Sequence, residues 1–120
     1  MITKEQMLAA TKRKYVTVQA FGSEVRIRVM TTSERTAFEQ SLQDRKGRVD
    51  SNKQATMRER LIAACVADAD GELMFTESDL PQLANLPADD AERLVDAIQR
   101  ACGWTKSDIE SLGNGQGGDA

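Results

Sequence analysis

The sequence predicts an α+β fold in which an N-terminal β-hairpin packs on a small bundle of four to five helices. Residues 24–29 alternate strictly between charged and apolar side chains, which is typical of a strand with one buried face. Residues 88–102 repeat apolar side chains at helical spacing. Aromatic residues make up only 4% of the 120 residues. The core therefore has to be built mainly from aliphatic side chains, which favours helices over an all-β sandwich.

A short helix and the hairpin open the chain. Thr3 is a suitable N-cap for a helix over residues 3–11. Residues 15–21 and 24–30 are extended segments on either side of Gly22-Ser23, which predicts a two-stranded hairpin. An isolated hairpin is only marginally stable in water, so it must pack on the helices that follow. The second strand is expected to bury Val25, Ile27 and Val29 and to expose Glu24, Arg26 and Arg28.

The next helix begins at a capping-box pattern. Thr31 and Glu34 have the required spacing, and the helix is expected to run to about Asp44. Its apolar residues at helical spacing are Ala37, Phe38 and Leu42. Residues 45–54 are polar and contain a glycine, which predicts a loop.

The most apolar segment, residues 55–67, predicts a central buried helix, because its second half contains no polar side chain. Residues 68–72 are typical of a turn, and residues 73–75 form a short extended apolar piece. Thr76 has the position of a cap for a short helix that ends near Ala84.

The clearest amphipathic helix covers residues 88–102, and Gly103 is placed to end it. A last helix is expected over 105–112. Residues 113–120 contain four glycines and are expected to be disordered. The chain is thus predicted to hold a single domain over 1–112, followed by a Gly-rich tail. The expected core residues are Leu61, Cys65, Leu94 and Ile98.

Composition argues against several functional classes. There is no histidine, which excludes histidine-based triads and histidine-ligated metals. Cys65 and Cys102 are too few for a four-thiolate zinc site, and both fall on apolar faces, where inert core thiols are expected. No carboxylate pair or serine has the surroundings of a catalytic group. We therefore expect no catalytic residues, no metal and no cofactor.

No apolar run has the length needed to span a bilayer, and residues 1–6 lack the apolar stretch of a secretory signal. A cytoplasmic protein with no membrane partner and with reduced cysteines is therefore expected.

Charge is distributed unevenly along the chain. Residues 1–60 contain 13 basic and 7 acidic side chains, whereas residues 61–120 contain 3 and 12. The basic stretch 12–14 together with Arg26 and Arg28 suggests a nucleic-acid partner. A pI near 5.0 and the lack of aromatic residues among the outward hairpin positions argue against it. Attraction between the two halves is the simpler interpretation.

An acidic segment over residues 68–77 partly matches a calcium loop. Five residues fit the loop positions: Asp68, Asp70, Gly71, Leu73 and Glu77. Val66 and Met74 occupy two further positions where such loops supply oxygen ligands, directly or through water. The segment is therefore predicted to be an acidic turn that does not bind calcium.

The order of these elements resembles the tail assembly chaperones of long-tailed, siphovirus-like bacteriophages and prophages. A hairpin with Gly-Ser-Glu-Val-Arg-Ile-Arg-Val leads into Thr-Thr-Ser-Glu-Arg-Thr-Ala-Phe-Glu. Arg-Leu-Ile-Ala-Ala-Cys-Val then runs into Ala-Asp-Ala-Asp-Gly-Glu, and Ala-Glu-Arg-Leu-Val-Asp-Ala-Ile-Gln-Arg follows. The resemblance covers residues 14–112. The resemblance rests on the order in which these motifs follow one another, because each motif alone is weak evidence for the family.

This resemblance implies a protein without catalytic activity that binds the tape measure protein and keeps it soluble in the host bacterial cytoplasm. Such chaperones are absent from the mature virion. In many phages, a frameshift-extended form also recruits the tail tube protein. A homo-oligomer is compatible with this role.

The sequence offers seven candidates for contact with the partner: Arg26, Arg28, Phe38, Leu42, Leu94, Val95 and Ile98. The arginines belong to the charged hairpin face, and the apolar residues serve equally well as core. Two other functions stay open, a small oligomerising scaffold and a nucleic-acid-associated regulatory protein.

Overall fold

A computed structural model describes residues 1–105, and within them six α-helices accompany a three-stranded antiparallel sheet of order β1-β2-β3. The fold class is confirmed as α+β with an N-terminal hairpin, although this part of the chain holds more helices than predicted. The elements are α1 (Lys4–Ala9), β1 (Tyr15–Ala20), β2 (Ser23–Arg28), α2 (Thr32–Ser41), α3 (Ser51–Ala55), α4 (Met57–Cys65), β3 (Val66–Ala67), a 3-10 turn (Glu77–Asp79), α5 (Leu80–Leu83) and α6 (Ala88–Ala101).

The hairpin pairs β1 with β2 over their full length, with Ala20 opposite Ser23. The two turn residues are therefore Phe21 and Gly22, one position earlier than predicted. Both have positive φ angles, 57° and 70°, as in the type I′ turns that match the twist of a hairpin. Ile27 is fully buried on the apolar face of β2, as its alternating pattern predicts.

A third strand replaces the predicted end of the central helix. The helix was expected to continue to Ala67, but α4 ends at Cys65 and Val66 adopts an extended conformation. Val66 pairs with Ile27, and Ala67 pairs with Arg26. An apolar run looks the same in a buried helix and a buried strand, so only pairing with β2 decides between them.

The chain then turns over residues 68–72, as predicted, and the extended segment that follows returns beside β3. Ala67 forms a β-bridge with Leu73, and the Met74 N–H donates to the Val66 carbonyl over 3.0 Å. These bonds place residues 73 and 74 at the edge of the sheet.

The last helices follow the sequence pattern closely. The Thr76 N–H donates to the Asp79 carboxylate over 2.8 Å, and the 3-10 turn continues into α5, which has Pro81 in its first turn. The helix α6 ends one residue earlier than predicted, and Gly103 follows it with a φ of 81°. A glycine takes this left-handed conformation after a helix without steric penalty.

The helix α2 begins at the predicted capping box. The Thr31 hydroxyl accepts from the Glu34 N–H, and the Glu34 carboxylate accepts from the Thr31 N–H. The helix ends at Ser41 rather than near Asp44. The Asp44 side chain instead accepts two backbone N–H bonds in the turn that follows.

Part of the predicted loop over residues 45–54 is helical. Residues 51–55 form α3, because the Asp50 carboxylate accepts from the N–H groups of Asn52 and Lys53 at its start. This five-residue helix was not predicted, because its segment is polar. The helix is stabilised by its cap and has no buried side chain.

One apolar core joins the sheet to the helices. The helices α4 and α6 pack against each other, and α6 also lies against β1. The four residues predicted for this core are buried: Leu61, Cys65, Leu94 and Ile98.

The helix α2 reaches the core through a narrow stripe. Phe38 and Leu42 are buried, and the Phe38 ring lies 5.7 Å from that of Trp104. Ala37 was expected to be buried but is exposed. It lies about 100° around the helix from Phe38 and so points away from the core.

The helix α1 stands apart from the core. Thr3 and Gln6 form the capping box that starts it. None of its residues is buried, and the exposed fractions of Met7 and Leu8 are 61% and 56%.

The predicted tail and all of the predicted 105–112 helix beyond Thr105 lie outside the described residues. No helix within residues 1–105 is long and apolar enough to cross a membrane.

Candidate binding groove

An open groove lies beside the part of β2 that β3 does not cover. β3 pairs with β2 only at Arg26 and Ile27, so no other strand within residues 1–105 continues along the edge at Glu24 and Val25. The groove beside this edge has a volume of about 440 Å³. Its main apolar walls are Phe21, Val25, Ile62, Met74, Phe75 and Leu94.

The groove has a buried base and an exposed apolar mouth. Ile62 and Leu94 are almost completely buried and belong to the core. Phe21 and Met74 line the same groove with 39% and 51% of their surface exposed. Concave surfaces with several apolar side chains are the usual form of binding sites in proteins.

Phe21 has an unfavourable backbone conformation at the mouth of this groove. Its φ is 57°, and it is the sole non-glycine residue with positive φ within residues 1–105. A bulky residue in the left-handed region costs about 1–2 kcal/mol. Asparagine, aspartate or glycine is the usual residue at this turn position. Phe21 therefore destabilises the hairpin turn, while its ring adds apolar surface to the groove.

Arg26 places a positive charge at the rim of the groove. Its Nη1 donates to the Ala69 carbonyl over 3.0 Å, and its guanidinium lies 5.5 Å from the centre of the Tyr15 ring. The Tyr15 hydroxyl in turn donates to the Gly71 carbonyl over 3.1 Å. These contacts connect the hairpin to the 68–72 turn and hold Arg26 in one place.

Two acidic side chains of the 68–77 segment, Asp68 and Glu77, have structural partners. The Asp68 carboxylate accepts from the N–H groups of Asp70 and Glu72 and so closes the turn. Glu77 forms an ion pair of 3.3 Å with Arg60. Among residues 1–105 no three acidic or cysteine side chains are grouped to hold a metal ion. The absence of calcium binding stays a prediction, for which titration calorimetry is the test.

Arg28 does not line the groove and belongs to a separate charged cluster. It lies 3.5 Å from the Glu34 carboxylate, which also receives two hydrogen bonds from Arg13 at 2.6 and 2.8 Å. The hydrogen bond from Arg13 is the main cause that lowers the pKa of Glu34 to about 2. The Thr31 N–H and the charge of Arg28 act in the same direction. Arg28 is therefore engaged in stabilising the start of α2.

The five apolar candidates from the sequence are core residues in the structure: Phe38, Leu42, Leu94, Val95 and Ile98. Leu94 is the one of these five that lines the groove. The apolar stripes of α2 and α6 fill the space between the helices and the sheet. Their burial leaves little of their surface open to a partner, and a role of these five residues in partner binding stays a prediction.

Phe21 and Met74 were missed as candidates. A phenylalanine directly before the glycine of a hairpin, where asparagine is usual, is a signal that was available in the sequence. Met74 carries no comparable signal, because its exposure depends on where the returning segment meets β3.

A second groove of about 660 Å³ lies between α3, α4 and α6. Its lining is mainly charged and polar, and the ion pair between Arg58 and Glu92 lies within it at 2.7 Å. This groove is larger than the first but suits an apolar partner less well.

No family model, curated protein or solved structure matches the chain. A functional interpretation of the molecule therefore rests on the groove beside β2 and on the order of its sequence motifs.

Proposed function

We propose that this protein is a phage tail assembly chaperone without catalytic activity, which uses the groove beside β2 to hold apolar side chains of the tape measure protein. The site of action is the host bacterial cytoplasm, where the tape measure protein would otherwise aggregate before the tail tube forms around it. The order of sequence elements over residues 14–112 supports the family. The groove supplies the surface that such a function needs.

The observation that carries the proposal is the strained, half-exposed Phe21. A residue that is unfavourable for its own turn, with an exposed ring on an apolar groove, is typical of a binding position. Met74 adds a flexible side chain across the groove, and such side chains adapt to partners of varied shape.

The size of the groove suits weak, repeated binding. Burying roughly 150 Å² of apolar surface contributes about 4 kcal/mol, which the loss of translational and rotational freedom largely offsets. A single groove therefore binds one apolar stripe weakly. A long helical protein with many such stripes engages many copies at once, and multivalency then raises the total affinity. Arg26 at the rim would mainly guide encounter and register.

Co-expression with the tape measure protein of the same phage tests the proposal. We expect the chaperone to raise the soluble yield of that protein and the two purified proteins to associate. Met74→Glu should weaken association at least about tenfold, since it places a charge in the apolar groove. Met7→Glu is the matched control on the exposed helix α1 and should leave association unchanged.

Phe21→Asn separates a binding role from a structural one. Asparagine relieves the strain at positive φ, so this variant should unfold at higher urea, with a gain of about 1 kcal/mol, yet bind the tape measure protein more weakly. If Phe21→Asn binds the tape measure protein as tightly as the wild type does, the groove is not the binding site. If the tape measure protein is equally soluble alone, or fails to associate at micromolar concentration, the oligomerising scaffold becomes the better interpretation.

A further inference from the structure

The two cysteines of the chain meet at the ends of two helices. Cys65 is the last residue of α4 and is fully buried, whereas Cys102 follows α6 as its C-cap and is half-buried. Because α4 and α6 pack against each other, the two thiols lie next to each other, and each is the main influence on the pKa of the other. The sequence predicts two inert core thiols, but the fold brings them together and leaves one of them accessible.

Cys102 also faces an open cavity. The cavity has a volume of about 320 Å³ and lies between Cys102 and the first turns of α2, with Arg35 and Glu39 among its walls. Arg35 Nη1 donates to the Cys102 carbonyl over 3.3 Å. A water molecule occupies about 30 Å³ in the liquid, so a small polar oxidant fits readily in this space.

Several groups around Cys102 favour its thiolate form. The hydrogen bond from Cys65 is the main cause that lowers the pKa of the Cys102 thiol to about 7. The Met30 N–H, 3.4 Å from the sulfur, and the charge of Arg35 act in the same direction. Partial burial and the charge of Glu34 oppose them.

The neighbouring thiol has the opposite preference. The contact with Cys102 and burial raise the pKa of Cys65 far above its usual value, so Cys65 keeps its proton. The pair therefore combines one thiol that is open to the cavity, Cys102, with a fully buried neighbouring thiol, Cys65, which is the arrangement of a reactive and a resolving cysteine.

We propose that Cys102 and Cys65 are an oxidisable pair, in which hydrogen peroxide oxidises Cys102 and Cys65 then closes a reversible disulfide between the ends of α4 and α6. The Cys102 thiolate attacks one peroxide oxygen, the O–O bond breaks, and hydroxide leaves. The Cys102 sulfur has then lost an electron pair and is a sulfenic acid. The Cys65 sulfur attacks it, the S–O bond breaks, and the Cys65 proton leaves with the departing hydroxide as water. One small thiol attacks this disulfide and forms a mixed disulfide with one cysteine, and a second small thiol then releases that cysteine, so that both cysteines are restored and the two small thiols leave as their own disulfide.

Mass spectrometry of the full-length reduced protein after a mild dose of peroxide tests this proposal. We expect a monomer that has lost two hydrogens and a proteolytic fragment in which residues 65 and 102 are linked. In Cys65→Ala, dimedone should trap the sulfenic acid on Cys102, because the resolving thiol is gone. In Cys102→Ala, oxidation of Cys65 should be at least about tenfold slower, since a buried protonated thiol is unreactive.

A second measurement does not depend on the variants folding. The rate at which iodoacetamide alkylates Cys102 in the wild-type protein should rise with pH around a midpoint of about 7. A midpoint at or above the value of an ordinary thiol, about 8.5, would overturn the proposal. So would oxidation that yields only disulfide-linked dimers, or a Cys102→Ala variant that oxidises as fast as the wild type.

Discussion

At the scale of single residues, two side chains connect parts of the chain that are distant in sequence. Tyr15 reaches the 68–72 turn, where Gly71 has a φ of 86° and a Cβ on that glycine would collide with the Tyr15 hydroxyl. Glu34 receives hydrogen bonds from Arg13 and from its own helix cap. The contacts of Tyr15 with Gly71 and of Arg13 with Glu34 are not visible in local sequence patterns, because each joins residues from separate elements.

The cluster around Glu34 makes a prediction about pH. The pKa of Glu34 falls from 4.5 to about 2 on folding, so its ionised form stabilises the fold fully above pH 4.5 and this effect is lost as the pH falls through about 2. Glu34→Gln keeps the acceptor for the Thr31 N–H but removes the charge. The side chain is 38% exposed, so solvent screening reduces the expected loss to about 1 kcal/mol at neutral pH.

Urea denaturation of both proteins across this pH range measures the difference. The stabilities of wild type and Glu34→Gln should converge as the pH falls from 4.5 towards 2. Glu24→Gln, at an exposed hairpin position, is the control and should follow the wild type. A difference between wild type and Glu34→Gln that stays constant down to the lowest pH would contradict an ionic origin.

At the scale of elements, two helices with the same start signal differ in what they bury. Both α1 and α2 begin with a capping box, formed by Thr3 and Thr31. The helix α2 contributes Phe38 to the core, and its C-cap residue Leu42 is also buried, whereas α1 buries no residue. A cap determines where a helix starts, but packing determines whether the helix contributes to the stability of the whole fold.

The two caps should therefore respond differently to the same substitution. Thr31→Ala should lower the free energy of unfolding by about 1 kcal/mol, because a packed helix loses its cap. Thr3→Ala should change global stability by no more than about 0.3 kcal/mol and should speed amide exchange only within residues 4–9. Denaturation and hydrogen exchange measure the two effects. A global loss near 1 kcal/mol for Thr3→Ala would indicate that α1 is docked in solution.

At the scale of the whole molecule, the uneven charge distribution does little to hold the fold together. Within residues 1–105, two ion pairs join the basic first half of the chain to the acidic second half. Arg58 pairs with Glu92 and Arg60 with Glu77, and at least one member of each pair is well exposed. Other cations of the first half, including Arg13 and Arg28, pair within it. Exposed pairs contribute little net stability, since water and salt screen them.

Stability should therefore depend only weakly on salt. Raising sodium chloride from about 0.05 to about 0.5 M should change the free energy of unfolding by less than about 1 kcal/mol. Thermal and urea denaturation at both concentrations measure this change. The variant Arg58→Gln lacks the ion pair with Glu92 and is measured beside the wild type for comparison. A loss of more than about 2 kcal/mol in the wild type alone would mean that attraction between the halves is a major part of its stability.

The sequence alone determined the hairpin, the helix starts at Thr3, Thr31 and Thr76, and the amphipathic helix α6. These features depend on local periodicity and on caps, which act over a few residues. It also identified the core correctly at Leu61, Cys65, Leu94 and Ile98. Local patterns do not show which apolar helix faces remain exposed to solvent. Helical spacing indicates that a face is apolar, but it does not indicate which other element covers that face.

Only the tertiary structure decided the strand at Val66 and Ala67, the groove and the cysteine pair. The strand exists because β2 offers an edge to an apolar run that local pattern assigns equally well to helix. The groove exists because that strand stops after two residues and leaves Phe21 and Met74 uncovered beside the remaining edge. The thiols meet because α4 and α6 pack against each other, and such long-range packing is not encoded in local sequence patterns.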